Sequence, residues 1–141
     1  MPSATSSDFL HQSQMDYLLK GVEWIPPDTL YVALFNTLPS LADAGGQEVS
    51  TAGTGYSRKP ISKVDGWTGP DASGIYANAE EILFDQPTAN WGTINGAGLY
   101  DAATEGNLFY VSQLTTSKVV SDGDGGPKIL QGQLRILRAV C

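Results

Sequence analysis

The order of apolar and polar positions divides the chain into one helical stretch followed by a series of short strands. Met15, Leu18, Leu19 and Val22 recur at i, i+3, i+4 and i+7, the spacing of one helix face. Ser7 or Asp8 can cap the start of such a helix, and Gly21 stands where a left-handed C-terminal cap belongs. Lys20 in the last turn complements the helix dipole, and Pro26-Pro27 bars any continuation. The pattern predicts a helix over residues 8–20. Its apolar face would cover one end of a sheet, or act as an arm gripping a neighbouring subunit.

From Thr29 the period falls to two. Thr29–Asn36 is apolar on both faces, with Leu30, Val32 and Leu34 on one and Tyr31, Ala33 and Phe35 on the other. A strand of that kind is covered on both sides. Residues 39–55 read as a long glycine-rich polar loop, of the sort that is commonly functional or mobile. Tyr56–Val64 alternates around Pro60, which suits an edge strand. After a turn-rich stretch at 65–70, strand signals follow at Ile75–Asn78, Glu81–Asp85, Thr93–Tyr100, Leu108–Leu114, Val119–Val120 and Lys128–Val140. In the last of these, Leu134 and Ile136 should face inward and Gln133 and Arg135 outward. Gly92, Gly96 and Gly98 within one strand-like segment predict a bulge or a close backbone approach. No helix follows them, so they do not form a phosphate loop.

One helix with seven or eight short strands predicts an all-β fold, a jelly roll or antiparallel β-sandwich. The chain of 141 residues suits a single domain, here residues 8–141, preceded by a flexible, small and polar N-terminal arm at residues 1–7. Sixteen glycines and eight prolines, well dispersed, fit a turn-rich β protein.

Charge narrows the partners. Fifteen acidic residues against eight lysines and arginines give a net charge of −7. An acidic domain lacks the phosphate contacts that dominate nucleic-acid affinity, so no nucleic-acid partner is expected. No run approaches the roughly 20 apolar residues of a membrane span, and the N-terminus lacks the basic and apolar regions of a signal peptide. No membrane partner is expected either. Cys141 is the sole cysteine, which rules out an intramolecular disulfide.

Reactive chemistry has little to work with. His11, the only histidine, sits on the predicted helix, and Cys141 has no histidine near it in sequence. Glu80-Glu81 and Asp85 could be imagined as a glycosidase pair, yet acids at a strand entrance more often mark a solvated edge. Asp122-Gly123-Asp124-Gly125-Gly126 resembles the start of a calcium loop. The twelfth position is Gln133 rather than glutamate and strands flank it, so a hairpin turn is expected. Trp24, Trp67 and Trp91 could build a sugar platform, but aromatics in small β domains usually fill cores or interfaces. The expectation is a protein that is no enzyme, with no catalytic residue, metal site or cofactor.

The ordered landmarks Asp16–Gly21, Thr29–Asn36, Gly53–Arg58, Trp91–Ile94, Gly98–Ala102 and Gly106–Leu108, closed by an alternating C-terminal strand, cover nearly the whole chain. In that order they resemble a family of small tailed-bacteriophage virion proteins that includes capsid cement, or decoration, proteins. The resemblance implies a jelly-roll fold, a homodimer or other homo-oligomer, and a structural role in the virion. It implies the major capsid protein as partner, clamped on the outside of the phage head by a chain made in the bacterial host cytoplasm. Its alternative is a tail-fibre or baseplate component, and a carbohydrate-binding receptor module stands behind both. The expected contact elements are Pro2–Asp8, Thr29–Asn36 and the loop Leu38–Gly55. Asn95-Gly96-Ala97 and the tail Arg138–Cys141 depart from the pattern.

Overall fold

In the computed structural model, residues 3–137 are described. Met1, Pro2 and Arg138–Cys141 lie outside the described residues, and with them the outer end of the expected arm, the last part of the expected C-terminal strand, and Cys141. The elements run β1 (Thr5–Ser6), α1 (Asp8–Lys20), β2 (Thr29–Thr37), β3 (Gln47–Glu48), β4 (Lys59–Ser62), β5 (Trp67–Thr68) and β6 (Tyr76–Asn78). Then follow β7 (Ile82–Leu83), β8 (Gly92–Tyr100), β9 (Leu108–Val120), β10 (Lys128–Ile129) and β11 (Arg135–Ile136). The fold is all-β and sandwich-like, with one helix. Among the described residues it has eleven strands rather than seven or eight, because six of them are two residues long and too short to leave a periodic signal.

The two-faced strand organises the molecule. β2 lies inside a six-stranded antiparallel sheet of order β1-β9-β8-β2-β3, with β4 also paired to β2. Its even-numbered residues Val32 and Leu34 join the main core with Ala97, Leu99, Phe109, Phe84, Ile129 and Leu134. Ala33 and Phe35 join a second cluster with Tyr100, Leu108 and Val111, against which Leu38 packs. The main core is closed by two smaller sheets, β10-β7 and β11-β6-β5.

Glycine in β8 has a steric purpose. A Cβ on Gly98 would sit 2.7 Å from the Phe35 ring, and one on Gly96 would sit 2.8 Å from Leu38. Both residues share a face with Tyr100, whose ring lies 6.2 Å from that of Phe35. The expected close approach is therefore that of an aromatic ring onto bare backbone. A register shift opposite Leu99–Tyr100 makes Phe109 the extra residue of β9, so Phe109 and Tyr110 both pack on the main cluster.

That bulge seats the helix. Phe9 and Trp24 lie 5.7 and 6.2 Å from the Phe109 ring, and Leu10 is buried. Ser7 is the N-cap: its Oγ accepts from the Leu10 amide at 3.1 Å and donates to the Leu108 carbonyl at 2.5 Å. Gly21 closes the far end in the left-handed conformation.

Several boundaries differ from expectation. In the segment read as a flexible arm, Thr5–Ser6 pairs with Val111 and Tyr110, and Ala4 and Ser7 are buried. Leu108–Leu114 and Val119–Val120 are one strand, carried past a four-residue irregularity opposite Asn95. The segment from Lys128 onward is two short strands separated by a turn at 130–133, with Leu134 buried and Arg135 exposed. The Asp122–Gly126 turn is not a hairpin: β9 belongs to the large sheet and β10 pairs with β7, so the turn crosses between sheets.

Candidate functional site

Two surfaces stand out, and neither is a reaction centre. The first is built where the long loop returns to the sheet. β3 brings Glu48 beside β2, and Arg58 follows the buried Tyr56 just ahead of β4. Arg58 Nε and Nη2 donate to Glu48 Oε2 and Oε1 at 2.9 and 2.8 Å, a bidentate pair. Its Nη1 donates to the carbonyls of Ala102 and Glu105 at 2.9 and 2.7 Å. The Tyr56 hydroxyl donates to Glu48 Oε2 at 2.6 Å and accepts from the Leu34 amide at 3.0 Å. Tyr100 donates to Asp43 Oδ1 at 3.2 Å.

Electrostatics follow from that packing. Burial, then the hydrogen bond to Glu48 and its charge, hold the Tyr56 phenol well above its ordinary range. Burial and the neighbouring Asp43 do the same for Tyr100. Burial alone would lower the Arg58 guanidinium, but the Glu48 hydrogen bond and charge carry it above its usual value. Four guanidinium N–H groups and both phenols face acceptors, so this is a lock on three loops rather than an activated group. The sequence marks Tyr56 and Arg58 as landmarks but assigns them no role. A lone glutamate in a glycine-rich loop, ten residues before an arginine, was the available signal.

The second surface is the outer face of α1. Of the predicted stripe, Leu18 and Leu19 point away from the core, Met15 is half-buried, and Val22 is exposed beyond the Gly21 cap, outside the helix. Leu18 is 71% exposed, Leu19 74% and Ile25, beyond the helix, 80%. The face that meets the sheet is instead Phe9 and Leu10, because the cap at Ser7 fixes the helix rotation against β9. An open groove of about 470 Å³ lies beside the stripe, lined by Gln14, Met15, Tyr17, Leu18, Trp24 and Pro26. Contiguous exposed apolar side chains of this size mark interaction surfaces.

The remaining sequence candidates are dispersed. His11 is exposed on the outer side of α1. Glu81 pairs with Lys128 at 3.6 Å and Asp85 with Lys59 at 2.9 Å, both at the surface. Asp124 Oδ2 accepts from the Ser121 amide at 2.8 Å, so it closes its own turn. Trp91 is buried and donates to the Thr54 carbonyl at 2.8 Å. Trp24 and Trp67 are half-buried against the main core, and the three indoles form no shared platform. Among the described residues no group of three or more His, Cys, Asp or Glu side chains is placed to hold a metal ion, and no helix is long and apolar enough to cross a membrane.

A protein-family model described as podophage GP4 fiber I protein gp80 matches residues 5–137. The chain belongs to that family. The match runs from β1 past β11, so it takes in the whole sandwich and both surfaces. Among curated proteins none matches the chain. The family is one of phage fibre proteins, which makes the chain a phage structural protein and supports the virion role implied by the sequence. Within that role the family favours a fibre over a capsid cement protein.

Proposed function

We propose that this protein is a non-enzymatic structural unit of a podophage fibre, mounted on the tail side of the virion and working without cofactor or catalytic step. The observation that carries the reading is the family match over residues 5–137. The geometry is in keeping with it: the polar cluster around Arg58 is a structural lock, and α1 carries an exposed apolar ridge suited to a protein partner. Its partners are other virion proteins and copies of itself. The acidic net charge would steer the unit toward basic protein surfaces.

The cement reading, with the major capsid protein as partner on the capsid exterior, is the rival. A reconstruction of virions carrying a tagged copy of this protein separates the two. Density at the tail or its fibres is expected. Density spread over the head lattice would overturn the fibre assignment and restore the cement role.

A further inference from the structure

Between the large sheet and the β10-β7 sheet runs a slot of about 60 Å³ that reaches the main core. Leu34 and Ile94 line it from the large sheet, and Phe84 and Ile129 from the other side; all four are buried. β9 shapes the opening. Gln113 pairs with Gly96 and Lys118 with Ile94, so the four residues Leu114–Ser117 stand against Asn95 alone. An excursion of this kind re-aims side chains. Leu114 at its start and Lys118 just past its end both line the slot. Of all the lining residues only Lys118 and Lys128 are exposed, so the mouth is theirs.

We infer that this slot is the anchor site for a neighbouring virion protein, taking one aliphatic or aromatic side chain on a segment flanked by Asp or Glu. The inference deepens the assembly role proposed above and rests on it for the partner being part of the virion.

Size, lining and charge select that occupant. Small-molecule cavities run from about 300 Å³ upward. This slot has room for a single side chain and cannot cover an acyl chain or a sugar. A side chain on a protein brings with it the surroundings that seal the rim against water, which is how interface anchors gain their weight. The buried lining side chains are all apolar, so the inserted group must be apolar too. At the mouth the sign of charge reverses on a chain of net charge −7. Among the described residues no carboxylate stands within ion-pair distance of the Lys118 ammonium. Lys128 has a long, exposed pair with Glu81 at 3.6 Å, which contributes little and is readily exchanged. Both ammoniums can therefore meet carboxylates placed beside the anchor, and they repel a basic segment. Repulsion between two chains of net charge −7 favours a different protein over a second copy as the source.

The test titrates the isotope-labelled full chain with capped pentapeptides, read by amide chemical shifts. Each peptide carries leucine, methionine or phenylalanine between two pairs of aspartates. At least one of the three should shift the Leu114, Lys118 and Ile129 amides saturably. Alanine at its centre should weaken binding by about tenfold or more, the worth of a buried side chain. Lysines in place of the aspartates should abolish it. Lys118→Glu should weaken the acidic peptide by about tenfold, as an attraction becomes a repulsion, while Lys118→Arg keeps it. Thermal melting checks the fold of both variants, which is expected to hold because Lys118 is exposed. In purified virions a carbodiimide, which joins amines to carboxylates, should link Lys118 to an acidic segment of a different virion protein.

The inference is overturned if none of the three peptides moves those amides, or if the alanine-centred or lysine-flanked peptides bind as well. Decanoate filling the slot while the peptides leave it empty would assign it to a free acyl carboxylate instead. Concentration-dependent shifts of the same amides without peptide, or a virion crosslink only to a second copy, would make this chain its own occupant and overturn the inference as well. The titration needs no virion, so it stands or falls apart from the fibre assignment, which the position of the protein in the particle decides.

Discussion

The Arg58 guanidinium lies over the Tyr100 ring, its central carbon 3.8 Å from the ring centroid. The two residues are far apart in sequence, and the contact joins the segment ahead of β4 to the end of β8. With Glu48 gripping the edge of the same guanidinium, one side chain ties the long loop, the β4 approach and the Asp101–Asn107 loop together. Arg58 is 7% exposed at its side chain, so taking away one partner of this network costs far more than breaking a surface ion pair.

Removing it should therefore be costly. Arg58→Ala takes the guanidinium from two backbone carbonyls and leaves Glu48 with only the Tyr56 hydroxyl as donor, and should destabilise the fold by about 3 kcal/mol in denaturant titration. Arg58→Lys keeps the charge but loses the fork and the stacking, and should recover less than half of that. Limited proteolysis should show earlier cleavage in residues 39–55 in both variants, with the alanine variant cut first.

A tighter steric prediction comes from Gly98. A methyl group there would meet the Phe35 ring at 2.7 Å and the Tyr110 carbonyl at 3.0 Å. Gly98→Ala should cost about 2 kcal/mol through forced movement of the ring. Phe35→Leu combined with Gly98→Ala should cost less than the sum of the two single changes. A double-mutant cycle by chemical denaturation measures the coupling, and simple additivity would show that the ring is not what the glycine accommodates.

Much of this was legible in the chain because the signals were local. The two-faced reading of Thr29–Asn36 holds because alternation directly encodes which side chains share a face, and the cap at Gly21 follows from one glycine after one apolar run. The apolar stripe on α1 was legible too, but not its direction. Phe9 and Leu10 are also apolar, and only their fit against a bulge in β9, a hundred residues onward, decides which side turns inward. The Arg58 lock was hidden for the same reason: its partners converge from positions 48, 102 and 105. Spacing along a chain reports faces and ends, whereas which face is covered is a property of the assembled sheet.

Asn78 illustrates how a short strand is held where periodicity is silent. It is buried, its Nδ2 donates to the carbonyls of Glu80 and Leu130 at 2.7 and 3.0 Å, and its Oδ1 accepts from the Leu134 amide at 2.9 Å. Asn78→Leu fills similar space but removes the partner that Asn78 gives the Glu80 carbonyl and the Leu134 amide, and leaves the Leu130 carbonyl with the Gln133 amide alone. It should cost about 3 kcal/mol, and hydrogen exchange should accelerate first at the Leu134 amide. Unchanged exchange there would mean that the β6 pairing, not the side chain, fixes the 130–134 turn.

The cap at Ser7 couples helix to sheet, because one hydroxyl serves both the Leu10 amide and the Leu108 carbonyl. Ser7→Ala should cost about 1–2 kcal/mol, the upper end of capping losses, since a buried carbonyl also loses its donor. Ser7→Asp should restore the cap but not the bond to Leu108, and so recover only part. Near-ultraviolet circular dichroism of the Phe9–Phe109–Trp24 cluster would report the loosened helix seat.

Alkaline pH supplies a final check on the buried phenols. Tyr56 and Tyr100 are held above their ordinary value of 10.0, first by burial and then by the carboxylates of Glu48 and Asp43 respectively, and Tyr110 is raised by burial alone. A group whose pKa is higher folded than unfolded keeps its proton in the native state while the unfolded chain loses it. The stability it contributes is complete below pH 10 and declines as pH climbs from there toward the folded values. The melting temperature should therefore hold steady to about pH 9.5 and fall beyond it. The phenolate absorbance of Tyr56, Tyr100 and Tyr110 should rise only as the fold opens. Tyr56→Phe should flatten the decline while lowering stability at neutral pH, because Glu48 and the Leu34 amide lose a partner. A melting curve that fell equally steeply in wild type and in Tyr56→Phe would place the alkaline sensitivity elsewhere.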